Sequence, residues 1–316
     1  MFDNFINGIK NGFRVANATR KIVFKDKGLF IYPVTSAVVG IVAAILIIAV
    51  LIGFYLIGII SGSGATVIIS IIIMLFVLYF AVFFISTYFT MAMLIAFREF
   101  ANGKRISMGE ALGRTSQYSM LIVKWALFYT IIATIINIIE GIISAALSRY
   151  GIGGRIISGI ITGGANIALA AAVAFALPVI LDEKKGPIDT IKASTSFIMK
   201  NFGDTFGGLV FTEVISIVAL LIGLALIFIG IISGIAVISI ILAVLGFLVI
   251  IAGVLLRYVL FNCFKLIVYD YKTRKTLPKG FDAKLIDGSI KRKRKPQGGS
   301  GINPVGFFGT GQQGNV

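Results

Sequence analysis

Three stretches of this chain hold no charged side chain at all: residues 28–97, 156–181 and 214–256. A water-soluble fold brings its chain back to solvent every few residues, and Lys, Arg, Asp or Glu return with it. Runs of this length therefore have no soluble solution. A helix needs about 20 residues to cross the hydrocarbon of a bilayer, where only helices and closed barrels satisfy every backbone group. The first run is long enough for two spans, with Ser61-Gly62-Ser63-Gly64 as the turn between them. The third also holds two, turning near Ser233-Gly234. Between these pairs lie a span near 121–147, interrupted by Glu140, and a span near 156–181.

The sequence thus predicts an all-α integral membrane protein with spans at about 29–60, 66–97, 121–147, 156–181, 209–232 and 236–268. Residues 1–28 form an amphipathic segment before the spans. Residues 269–295 form a basic segment after them, and 296–316 a Gly-rich tail expected to be disordered. Composition agrees: 58% of residues are hydrophobic and 13% charged, against about 45–50% and about 25% in soluble domains.

Two absences remove chemistry. With no histidine, His-based triads, proton shuttles and imidazole metal sites are excluded. With one cysteine, Cys263, no intrachain disulfide and no thiolate cluster can form. Its apolar setting, Leu260-Phe261-Asn262-Cys263-Phe264, reads as a buried inert thiol, with redox chemistry or palmitoylation as the alternatives. Gly151-Ile152-Gly153-Gly154 is glycine-rich but lacks the Gly-Lys-Ser/Thr that completes a phosphate loop. The loop acids Asp182, Glu183 and Asp189 lie among lysines and read as solvated connectors. No catalytic constellation remains, so no enzyme, metal or cofactor is expected.

Orientation follows from Lys and Arg. The N-terminal segment, residues 98–120, residues 182–208 and the chain after 268 carry 24 of them, whereas the three opposite turns carry two, Arg149 and Arg155. Both ends of the chain, and the connectors grouped with them, are expected in the cytoplasm of a cell membrane. The first 28 residues carry six basic side chains without the apolar core and cleavage site of a signal peptide, so none is expected. The net charge of +16 then has a membrane explanation, since basic loops meet anionic lipid headgroups. Nucleic acid would need a folded basic face, and nothing outside the spans is large enough to build one.

The segments before the outward spans resemble one another. Ala18 to Asp26 can be laid over Ala193 to Asn201, and Arg114-Thr115-Ser116-Gln117-Tyr118 is a weaker copy. From Thr19, Thr115 and Ser194 the next outer turn lies about 43, 37 and 39 residues on. That spacing predicts a repeated unit: an amphipathic helix (2–24, 107–118, 187–200), a span out, a turn and a span back. Three units give six spans in three hairpins. In the first helix Phe2, Phe5, Ile6, Ile9, Phe13 and Ala16 recur at helical spacing. Such a helix would either lie in the headgroup plane or pack on the protein's own cytoplasmic loops.

The run Asn7-Gly8 through Gly12-Phe13, with Ala18-Thr19, Lys25-Asp26-Lys27 and Pro33, resembles the opening of a prokaryotic (bacterial and archaeal) multi-pass membrane family catalogued as a domain of unknown function. Pro178, Gly186-Pro187-Ile188, Ser194 and finally Pro278-Lys279-Gly280-Phe281-Asp282 are similar to that family's middle and end. The resemblance covers about residues 5–290, with Thr19 and Arg20 standing where Ser and Trp would be expected. It implies the multi-pass architecture and lends no catalytic residue.

Charges inside a span are functional candidates, because hydrocarbon makes them expensive. Glu213 and Arg257 fall at matching depth in adjacent antiparallel spans and are expected to form a structural ion pair. Lys124, beside Trp125, reads as a snorkelling interface anchor. Glu140 lies deeper, with Asn137 one turn earlier and Asn166 at similar depth on the fourth span. This group could bind a cation or proton, or Glu140 could pair with Arg149 or Arg155. The fourth span is rich in Gly and Ala and carries Gly159-Ile160-Ile161-Thr162-Gly163, which places it at the bundle centre. Lys291, Arg292, Lys293, Arg294 and Lys295 form a basic run suited to anionic lipid.

Two functions fit these residues. One is a structural or accessory protein organising lipids or partner proteins, or assembling with itself, at the cytoplasmic face. The other is a small-solute or ion permease using Glu140 and the fourth span.

Overall fold

The computed structural model describes residues 2–60 and 64–274, all helix, turn or connector, with no strand among them. α1 (Phe2–Val23) leads through a 3-10 turn at Lys27–Phe30 into α2 (Ile31–Ile60), and α3 (Gly64–Ala101) returns beside it. α4 (Met108–Thr115) and a 3-10 turn at Ser116–Tyr118 lead into α5 (Ser119–Ser148), which packs on α6 (Gly151–Val173). α7 (Ala176–Glu183) and α8 (Pro187–Lys200) then precede α9 (Phe202–Ile232) and its partner α10 (Ala236–Arg274).

Six segments are long and apolar enough to cross a membrane: Lys27–Ile60, Val67–Ala101, Met108–Ser148, Gly151–Glu183, Phe202–Ile232 and Ala236–Arg274. The chain is a multi-pass membrane protein. The described turns within its hairpins fall at Arg149-Tyr150 and Ser233–Ile235. Ser61 to Ser63, Pro278 to Asp282, the basic run 291–295 and the Gly-rich tail lie outside the described residues.

Local chemistry sets the helix boundaries. Ser107 caps α4, its Oγ accepting from the Glu110 N–H at 3.1 Å, with the acidic Glu110 in the first turn suiting the helix dipole. Pro187 opens α8 at the position where a missing N–H costs nothing. Pro178 does the reverse. Its ring opposes the carbonyl four residues back, at Ala174, and it has no N–H to give. The expected span 156–181 is accordingly broken at Ala174-Phe175 into α6 and α7. The freed Phe175 N–H donates to Ser194 Oγ at 3.1 Å, a bond buried in the core.

The core lies at one end, the terminal end, where α1, α4 and α8 pack against the ends of the spans. It gathers Met91 to Phe97 of α3, Phe175 to Leu181, and Val259 to Tyr269 of α10, with Val15, Ile122, Trp125 and Phe197 between them. Trp125 belongs to this core, whereas Lys124 beside it is exposed. Cys263 is fully buried. Away from this end the spans face outward: their most apolar stretches are only 0–33% buried. Ile45, Leu46, Ile142, Ile160 and Ile240 are each more than half exposed, which suits hydrocarbon and not water.

This corrects the expected central position of the fourth span. A Cβ added at Gly159, Gly163 or Gly164 would meet nothing within 4 Å. The glycines of α6 open outward, and only Gly154, against the Leu147 carbonyl at the turn, is in close contact. α1 packs on the protein itself, along α9 and α10, and leaves Lys10, Arg14 and Lys21 exposed.

Candidate functional site

The three segments laid over one another in the sequence bury the same hydroxyl position. Thr19, Thr115 and Ser194 are each 0% exposed. The first two turn inward onto their own helices, Thr19 Oγ1 donating to Val15 O at 2.8 Å and Thr115 Oγ1 to Ala111 O at 2.9 Å. Ser194 instead caps the broken fourth span. α4 is held further by Tyr88 Oη, which donates to Leu112 O at 3.1 Å, and Tyr118 Oη reaches Leu181 O at 3.3 Å.

Beneath these helices the three return segments bring charged residues to a common point: Arg98 from α3, Asp182 from α7, and Asp270 and Arg274 from α10. Arg98 donates from Nε to Asp270 Oδ2 at 3.0 Å and from Nη2 to Oδ1 at 2.6 Å, the two-pronged geometry that favours Arg over Lys. Its Nη2 also lies 2.7 Å from Asp182 Oδ1, and Arg274 Nη2 lies 2.8 Å from the same oxygen. Neither N–H points directly at that oxygen, so these contacts are ion pairs and not directed hydrogen bonds. The Asp182 side chain is 6% exposed and that of Arg98 19%. Two cations and two carboxylates thus neutralise one another where water is scarce, as burying charge requires.

A second layer surrounds this clamp. Glu183 accepts from Tyr269 Oη and pairs with Lys185. Tyr269 packs on Phe197 at 5.1 Å between ring centroids, and Phe197 on Phe175 at 4.5 Å. On the other flank Asp204 of α9 accepts from Asn11 Nδ2 at 2.9 Å and pairs with Lys272 at 2.8 Å. Asp204 therefore fastens α1 to the start of α9 and the end of α10.

Asp182 and Glu183 are consequently not solvated connectors but the end of α7, and Asp189, its side chain 68% exposed, is solvated yet lies in the first turn of α8. The signal for the clamp was present, since Arg98 and Asp182 are each the first charge after a charge-free run. What the sequence does not carry is their partner, more than 80 residues away.

The residues singled out from sequence lie elsewhere. Arg257 Nε donates to Glu213 Oε1 at 2.7 Å and Nη2 contacts the same oxygen, inside the α9–α10 hairpin. Asn166 Nδ2 donates to Glu140 Oε1 at 2.7 Å and to Thr162 O at 3.1 Å, joining α5 to α6. Asn137 is exposed and takes no part in that bond, and neither Arg149 nor Arg155 pairs with Glu140. Among the described residues no group of three His, Cys, Asp or Glu gathers to hold a metal. The arrangement can join helices: its acids are held by cations, by the amides of Asn11 and Asn166 and by the Tyr269 hydroxyl. No protein-family model, curated protein or solved structure matches the chain.

Proposed function

We propose that the protein is a non-enzymatic membrane scaffold whose clamped terminal end faces the cytoplasm and organises lipids or partner proteins there. One observation carries this reading. The buried core and the ion pairs that cross between hairpins gather at the terminal end, while the spans present apolar surface outward along most of their length. A protein built to pass a solute would be expected to concentrate polarity between its spans at mid-membrane. The orientation rests on the 24-to-2 bias of Lys and Arg. The buried Thr19, Thr115 and Ser194 support three repeated units, each a cytoplasmic helix followed by a hairpin. That architecture also fits the resemblance to a prokaryotic multi-pass family.

The permease alternative would run through Glu140 and α6. It is the weaker reading, because the glycines of α6 open to the outside of the helix pair and Glu140 is bonded to Asn166. Purified protein in sealed vesicles decides between the two. With imposed H⁺, Na⁺ or K⁺ gradients, the native chain and Glu140→Gln should both leak no faster than protein-free vesicles. Flux through the native chain that Glu140→Gln abolishes would replace the scaffold by the permease.

A further inference from the structure

One face of α8 carries two ammonium groups and two hydroxyls that the described residues hardly engage. Lys192, Thr195, Ser196 and Lys200 stand at i, i+3, i+4 and i+8, on one side of the helix. Lys200 has no acidic partner among the described residues, and Lys192 has only the exposed Asp189, 4.0 Å away. The hydroxyls of Thr195 and Ser196 make no hydrogen bond among the described residues, whereas Thr190 and Ser194 on the same helix do. A shallow, open groove lies along this face, edged by Ile191 and the exposed Met199.

At Thr195 and Met199 the groove meets a second, of about 390 Å³, walled by Ala168, Ala171 and Ala172 of α6 and by Ile198 and Phe202. This half is almost wholly apolar. Its alanine wall is the end of the small-residue face of α6, and it runs from the basic patch toward the membrane-spanning part of that helix. Within a bilayer such a gap between helices would fill with hydrocarbon, since water there would find few polar partners.

We propose that the joined grooves bind one anionic glycerophospholipid from the leaflet that meets the terminal end. Its phosphate lies on Lys192, Ser196 and Lys200, and an acyl chain runs along Ala168, Ala171 and Ala172 against Phe202. Charge complementarity selects an anionic headgroup, and the apolar half selects a lipid over a free phosphate. The site goes beyond the scaffold reading and does not depend on it, because a permease with this α8 would hold the same lipid.

Native mass spectrometry of the full chain, released from neutral detergent after titration with phosphatidylglycerol or phosphatidylcholine, tests the site. Phosphatidylglycerol should be retained at one tight copy per chain and phosphatidylcholine should not. Lys192→Gln with Lys200→Gln should weaken retention by about 25-fold, about five-fold for each lysine beside an anionic headgroup. Ala171→Phe fills the acyl track without touching charge and should weaken it comparably. Lys10→Gln with Lys21→Gln, equal in charge removed, should not. All of these positions are exposed, so the fold is not at stake. Retention unchanged in either site variant, equal retention of phosphatidylcholine, or displacement by inorganic phosphate overturns the proposal.

Discussion

Asp182→Asn is expected to lower stability in detergent by about 3 kcal/mol, the low end of the cost of breaking a buried ion pair from one side. The low end applies because Asp270 still holds Arg98, and Arg274, its side chain 46% exposed, can turn to water. The shape of the side chain is kept, so the loss reports charge. Adding Arg98→Gln returns the cluster to neutrality, with Arg274 left to Asp270, and should recover part of the loss. Asp189→Asn, on a solvated acid of the same region, should change stability by less than about 0.5 kcal/mol. Denaturant unfolding followed by the fluorescence of Trp125, the single tryptophan and a core residue, measures all four proteins. Native stability in Asp182→Asn would mean that the clamp does not hold the hairpins.

Gly12→Val is expected to detach α1 from the rest of the protein. A Cβ at Gly12 would overlap the Asp204 carbonyl oxygen and stand 2.7 Å from the Gly208 N, and one at Gly207 would overlap the Ile9 carbonyl. These are backbone atoms on both sides of the α1–α9 crossing, which cannot swing away as a side-chain end can. The cost should therefore reach or exceed the upper end of the usual 1–3 kcal/mol for overpacking, and separation of the helices relieves it. In a Cys263→Ala background, Val15→Cys is buried and should react slowly with a maleimide. Adding Gly12→Val should speed the reaction at least ten-fold. An unchanged rate would show that the crossing yields without opening.

The spans were legible because charge-free runs are a property of composition, and a bilayer leaves few ways to fold them. The amphipathic helices were legible for a related reason. Their periodicity and the shared position of Thr19, Thr115 and Ser194 are local patterns, and the helices occupy Phe2–Val23, Met108–Thr115 and Pro187–Lys200. The pairings were harder. Glu213 and Arg257 could be matched by depth because they share one hairpin. Arg98, Asp182 and Asp270 come from three hairpins, and nothing in the chain states how those hairpins meet. Misreading Asp182 followed from its neighbours: Lys184 and Lys185 suggest a solvated loop, but α7 ends only at Glu183, under α8. The glycines of α6 misled in the opposite sense. Small residues permit close packing without demanding it, and here Gly159, Gly163 and Gly164 meet nothing within 4 Å.

Every part of the account rests on six spans that place α4, α8 and their connectors on one side of the membrane and the outer turns on the other. Single cysteines in the Cys263→Ala protein test this directly, at Tyr150→Cys and Ile235→Cys in the turns and at Lys104→Cys and Lys185→Cys in the connectors. An impermeant maleimide applied to intact cells should label the first two and leave the last two untouched until the cells are opened. Labelling at Lys104→Cys or Lys185→Cys in intact cells, or its absence at both turns, would contradict the account.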